Sequence, residues 1–223
     1  MKLVKMLGLV ALAAMATMAV VASSASASAT ICTNDVAHQD IAICEGTHGK
    51  HLKIGSAINA ALAPGTHATL TVTNGSGGTV RIVTCKKSTA TGALTSTTGG
   101  INITGLTFTE CESAGCSNVT AVAPRTGKTF PWAGTVTKTS GTDGLLHVTG
   151  PSGKFTATCL GITATCEYET SSATVTAKGG APGQLIATAV PLELKAGVAF
   201  ICGAKADWTA TYNISTPTSV FVT

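Results

Sequence analysis

Eight cysteines (Cys32, Cys44, Cys85, Cys111, Cys116, Cys159, Cys166 and Cys202) constrain this chain more than any other feature. Their number is even, and in an oxidising compartment four disulfides are the expected outcome. About a hundred connectivities are open to eight cysteines. Proximity along the chain favours Cys32 with Cys44, Cys111 with Cys116 and Cys159 with Cys166, which leaves Cys85 with Cys202 as a long closure. Such a closure stabilises most in the chain-entropy account, ~4.7 kcal/mol for a hundred residues against ~3 for fifteen.

The N-terminus supplies the compartment. Met1 to Lys5 is a short basic head, Met6 to Ala22 is apolar without a charge, and Ser23 to Ala29 offers small residues to a signal peptidase. Ala25-Ser26-Ala27 and Ala27-Ser28-Ala29 are the candidate recognition triplets, so residues 1–29 are expected to be a cleaved signal peptide ending near Ala27 or Ala29. The competing reading is a membrane anchor, since the apolar run approaches the ~20 residues that span a bilayer. The small-residue tail favours cleavage, and without twin arginines the general secretory route is the simpler one. Ile31, just before Cys32, is too bulky for a lipoprotein signal. A secreted protein with no membrane span in the mature chain is expected, extracellular or associated with the cell surface.

Beyond the signal the chain reads as strands. Threonine supplies 39 of the 223 residues, and β-branched side chains favour strands over helices. In 67–73 (HATLTVT), Ala68, Leu70 and Val72 alternate with threonines; Asn74 to Gly78 is a turn cluster, and 79–85 (TVRIVTC) resumes the alternation. Ile101 to Thr109 looks like a strand bulged at Gly105. Ile162, Ala164, Cys166 and Tyr168 share a face, as do Trp208, Ala210, Tyr212 and Ile214. Gly/Pro clusters recur every ten to fifteen residues, the pattern of an antiparallel, disulfide-stabilised β-sandwich or barrel. Only Gly55 to Ala63 (GSAINAALA) reads as a helical turn, stopped by Pro64-Gly65. Residues 30–63 are expected to form a disulfide-tied N-terminal extension and residues 64–223 a single all-β domain. All nine aromatic residues lie after position 107, so the dense core is expected near Trp132 and Trp208.

Reactive constellations are sparse. Without Lys2 and Lys5, twelve basic residues face ten acidic ones, a net charge of +2. That leaves no electrostatic case for nucleic acid or an anionic membrane. Cys44, His48 and His51 have ligand-like spacing, with Cys32 upstream, but exported thiols oxidise, so polar-loop histidines are the reading taken and no metal or other cofactor is expected. There is no Gly-x-Ser-x-Gly elbow. Glu110/Glu112 and Glu167/Glu169 each share a strand face, which suits a solvated surface better than a glycosidase pair. Trp132, behind Pro131, is the one candidate binding residue, set against the plainer reading of a core tryptophan.

A series of landmarks carries a resemblance: Ala61-Leu62-Ala63-Pro64-Gly65-Thr66, Cys85-Lys86-Lys87-Ser88-Thr89, and Leu106-Thr107-Phe108-Thr109-Glu110-Cys111. Phe130-Pro131-Trp132, Cys166-Glu167-Tyr168 and the run Cys202 to Tyr212 complete it. In this order, over roughly residues 60–223, the chain resembles uncharacterised exported β-proteins of high-GC Gram-positive bacteria. A more distant similarity is to exported matrix proteins named for activation of alkane oxidation. The resemblance implies an exported β-protein and carries no catalytic residues. The leading functional expectation is a non-enzymatic protein acting at the cell surface or in the extracellular matrix, with threonine-rich strand edges suited to self-association. The alternative is a binding module for a carbohydrate or apolar ligand centred on Trp132. A hydrolase would have to gather His147 or His67 with an acid and a nucleophile.

Overall fold

The computed structural model describes residues 29–223; the segment expected to be a signal peptide, with Ala27, lies outside the described residues but for Ala29. The chain forms sixteen strands: β1 (Ile31–Thr33), β2 (Gln39–Ile43), β3 (Lys50–Leu52), β4 (Ala57–Leu62), β5 (Ala68–Thr73), β6 (Thr79–Leu94), β7 (Gly100–Ser113) and β8 (Cys116–Val122). After them come β9 (Trp132–Lys138), β10 (Gly144–Thr149), β11 (Ser152–Cys159), β12 (Ile162–Glu169), β13 (Ser172–Lys178), β14 (Gln184–Ala196), β15 (Lys205–Thr216) and β16 (Phe221–Val222). One helical turn, α1 (Ala199–Cys202), precedes β15. All pairings are antiparallel, in a twelve-stranded and a four-stranded sheet.

Four long strands organise the larger sheet. β6 pairs with β7 and β14 with β15 along most of their lengths. On one side, β4 bridges the C-terminal halves of β6 and β15, while β5 bridges their N-terminal halves. On the other side, β7 joins β14 by two routes: through β9, β10 and β13, and through β8, β11 and β12. Two closed circuits of eight strands result, end to end, sharing the four long strands. We call the β4/β9/β10/β13 end the first barrel and the β5/β8/β11/β12 end the second.

Inward rows follow the alternation. In β15, Ala206, Ala210, Tyr212 and Ile214 are buried. In β13, Ala173, Val175 and Ala177 point in while Ser172, Thr174 and Thr176 stay outside. Where the long strands pass from one barrel to the other the rows shift. Thr104 is an extra residue opposite Thr91 and Gly92, which puts a bulge beside Gly105. Glu110 (φ 54°) and Ala189 (φ 47°) adopt left-handed backbone conformations, and a register break in β14 accompanies the second. Bulges of this kind re-aim side chains and bend strands.

The four-stranded sheet, ordered β16-β1-β3-β2, unites the two ends of the described chain: Ile31 lies opposite Val222 and Thr30 exchanges backbone hydrogen bonds with Thr223. It covers the outer end of the first barrel, where Val222 donates to Thr142 O. At the far end of the second barrel, α1 places Ile201 and Cys202 in the core, and Tyr168 donates its hydroxyl proton to Cys202 O.

Two expectations are corrected. Residues 55–63 are not helical: β4 runs through them with Ile58 and Ala60 buried, because the first barrel cannot close without a strand between β6 and β15. Alanine's helix preference, worth under ~1 kcal/mol per residue, yields to that pairing. The disulfides are Cys32–Cys44, as expected, but otherwise Cys85–Cys111, Cys116–Cys159 and Cys166–Cys202. Cys85 faces Cys111 directly across β6 and β7, and Cys116 faces Cys159 across β8 and β11. Cross-strand neighbours, not chain neighbours, set those two bonds.

Candidate functional site

The interior of each barrel is incompletely filled. A cavity of about 110 Å³ occupies the first, walled by Ile58, Ala60, Ala90, Val136, Val175 and Ala187 among others. A second, of about 90 Å³, occupies the other barrel between Val83, Phe108, Phe155, Tyr168 and Leu192. Leu106, Trp132, Pro151 and Trp208 line both and form the partition between the two chambers. β9 positions Trp132 at its first residue, beside Phe130, with ring centroids 4.6 Å apart. β15 turns Trp208 inward on the same row as Ala206 and Ala210, its ring 6.3 Å from that of Tyr212.

Trp132 is only 7 % exposed, so it offers no surface platform to a sugar; it is a core residue that is also a chamber wall. Sequence reasoning places Trp208 in the core but not in a chamber wall, and it misses Leu106 and Ser152. The strand alternation signals the inward face of Trp208, but nothing in the sequence marks the junction of two barrels.

The polar groups around the chambers are few. Tyr212 shares a 2.7 Å hydrogen bond with Ser88, and burial pushes its hydroxyl up to about 12 against the smaller opposing effect of that bond. Burial likewise raises the Tyr168 hydroxyl, partly offset by the Arg81 charge. Two polar atoms have no partner: Trp208 Nε1 is buried with no acceptor in reach, and so is the hydroxyl of Ser152, a residue 5 % exposed in the wall of the smaller chamber. No histidine, aspartate or glutamate lines either chamber.

The other sequence candidates lie apart. His147 faces outward from β10, its ring nitrogens 3.2 Å from Thr137 Oγ1 and 3.1 Å from Thr174 Oγ1, with no carboxylate beside it. His67 is exposed in the turn before β5. His38 pairs with Asp35 at 3.1 Å, and His48 packs on Phe221 with ring centroids 4.9 Å apart. Cys44 is committed to Cys32, which removes the thiolate from the Cys44/His48/His51 set; among the described residues no three His, Cys, Asp or Glu side chains gather as metal ligands. Glu167 and Glu169 lie on the outer face of β12 and are held by Arg125, at 3.6 Å and 2.7 Å. Lys128 adds a 3.3 Å contact to Glu169, whose carboxyl the Arg125 hydrogen bond holds below the usual range. Glu112 pairs with Lys86 at 2.9 Å and Glu110 with Lys87. Both carboxylate pairs are occupied by ion pairing.

Against this geometry, no protein family, curated protein or solved structure matches the chain. The fold and the chambers are therefore the whole basis for a functional reading.

Proposed function

We propose that this chain is an exported, non-enzymatic binding protein that encloses a small apolar molecule within its paired barrels. The observation that carries the reading is the pair of apolar chambers separated by Trp132 and Trp208. Unfilled interior volume costs ~24 cal/mol per Å³, so the larger chamber of about 110 Å³ corresponds to ~2.6 kcal/mol. An apolar cavity of roughly 150 Å³ stays dry and takes up benzene or xenon. Four disulfides suit an oxidising compartment, which supports export. Neither chamber sets a histidine or a carboxylate beside the few hydroxyl and lysine side chains of its wall, which supports binding without chemistry.

Titrating the oxidised mature protein with benzene and with n-hexane tests the reading. The expected result is a saturable change in the emission of the two tryptophans and a melting temperature that rises with ligand concentration. No change in either signal up to the aqueous solubility limit refutes it.

A second reading, structural association at the cell surface or in the extracellular matrix, is favoured by the edge strand β2. There Ile41 and Ile43 are 88 % and 78 % exposed on the same face. Light scattering of the native protein at high concentration checks it: growth in mass that Ile43→Lys abolishes supports association through β2, and a monomer throughout refutes it.

A further inference from the structure

We infer that residues 123–131, the connection from β8 to β9, form a strap over the entrance to both chambers, latched shut by the ion pairs of Arg125. This rests on the binding function proposed above and names how that site is opened. A molecule enters a closed barrel most readily where no ladder of backbone hydrogen bonds has to break. Such a line runs along the waist. Among the described residues, no strand of the β9, β10, β13 route pairs with one of the β8, β11, β12 route. On β7, Ile103 lies opposite Trp132 of β9 and Thr107 opposite Val122 of β8, so residues 104–106 have no strand beside them on this side. Leu106 in that gap and Trp132 at its edge line both chambers, and Ala123 lines the smaller one.

Residues 123–131 span the gap. Outside the strands their backbone makes one hydrogen bond, from Lys128 N to Arg125 O at 3.1 Å, which stays within the loop. Side chains tie the loop to the barrel. Arg125 donates through Nε and Nη2 to Glu169 Oε2, 2.7 Å each, and its Nη1 lies 3.6 Å from Glu167 Oε2. Lys128 lies 3.3 Å from Glu169 Oε1, and Lys154 donates to Thr126 Oγ1 at 3.1 Å. Phe130 packs its ring on that of Trp132. The opposite seam, between β4 and β5, is closed by main chain: Ala63 N donates to Thr211 O at 2.8 Å, and Thr66 Oγ1 to Ala63 O at 2.7 Å. Farther along the first seam, the turns at 150–151 and 170–171 hold each other through Gly150 N to Ser171 O and Thr170 N to Pro151 O. The strap is thus the stretch of wall that side-chain charges alone can release, and solvent-accessible ion pairs yield to salt.

The closed strap is the same with and without ligand, so the latch sets the rates of entry and exit equally and leaves their ratio alone. Stopped-flow mixing of benzene with the oxidised mature protein, read by tryptophan emission, measures both rates. Arg125→Ala and Glu169→Gln should each raise entry and exit two- to threefold, with Kd unchanged. Sodium chloride at about 0.5 M should act likewise on wild type and add little in Arg125→Ala. Thr66→Val, at the opposite seam, should leave the rates as they are. Rates unchanged in both latch variants, or raised by Thr66→Val alone, overturn the inference. Solvent exchange of the Trp208 indole proton, whose nitrogen is buried without a partner, judges the strap with no ligand present. Arg125→Ala should speed that exchange two- to threefold, and an unchanged rate overturns the inference. Failure of benzene to bind wild type removes the binding function instead, and the indole exchange then decides the strap on its own.

Discussion

Adding atoms to the larger chamber should stabilise the protein and weaken binding together. Ala60 in β4 lies beside Ala90 on the neighbouring strand β6, and both line the 110 Å³ void. Ala60 is 4 % exposed, so carbon added there enters the interior and not solvent. Ala60→Val adds two methyl-sized groups at ~0.8 kcal/mol each, or ~1.6 kcal/mol. Fixing the valine rotamer removes roughly 0.5 kcal/mol, and valine suits a strand. The net expectation is about 1 kcal/mol of added stability. In a chain of this size that raises Tm by ~2–4 °C, read by calorimetry on the oxidised protein under conditions where the melt is reversible. Benzene affinity measured in the same preparation should fall, since the added carbon occupies the ligand's space. Overpacking a filled core instead costs ~1–3 kcal/mol. A fall in Tm would therefore refute the void, and with it the reasoning that leads from the void to a ligand.

Removing the Cys116–Cys159 bond by a double alanine substitution frees a closure of 43 residues, against 12 for Cys32–Cys44. The chain-entropy relation gives ~4 and ~3 kcal/mol for the two, so urea melts should rank the Cys116/Cys159 variant as the less stable. The two tyrosines are the only ones in the chain, and burial raises both, Tyr212 to about 12. Their contribution to stability is therefore complete below pH ~10, the unfolded value, and is lost as pH rises towards 12; absorbance at 295 nm should show no tyrosinate before unfolding begins. The lowered Glu169 carboxyl works in the opposite sense: its stabilisation is present above the unfolded glutamate value and disappears as pH falls through that range. Arg125→Ala should flatten the acid limb of the stability curve, by well under ~1 kcal/mol because the pair is solvent-accessible, and an unchanged acid limb in denaturant melts would contradict the assignment.

The sequence shows its strand rows clearly where alternation runs unbroken. The row Trp208, Ala210, Tyr212 and Ile214 faces the interior of β15, and Asn74 closes the β5–β6 turn by accepting from the backbone of Ser76 and Gly78 at 3.1 and 2.8 Å. Legibility fails where a strand changes faces. β6 is a single strand of 16 residues, yet Lys86 and Lys87 are both exposed, so its alternation lapses between the two barrels and the strand's length is hidden. The disulfides fail for a related reason. Cys85–Cys111 and Cys116–Cys159 depend on register between strands, and register is a property of the pairing, not of spacing along the chain. Trp132 was visible as a residue of interest, but its role as a wall shared with Trp208 requires the end-to-end closure that no local pattern encodes.

The chambers themselves have a compositional cause. A barrel of eight strands has an interior just wide enough to be filled by side chains, or to hold one small ligand when they are small. Here aromatic residues make up 4 % of the chain, and many inward positions are alanine: Ala60, Ala173, Ala177 and Ala187 in the first barrel, Ala68 and Ala157 in the second. The two tryptophans are spent on the waist, where only the four long strands pass from barrel to barrel and the bridging strands of the two ends stop short. Small side chains on either side then cannot reach across, and space remains. Core packing forgone in this way weakens the fold. Three disulfides within the larger sheet and its helical turn restrain the unfolded chain instead, at the second barrel. The covalent bonds and the alanine-lined interior are thus two halves of one arrangement: cross-links supply rigidity that a dense core would otherwise provide, and the interior keeps unfilled space.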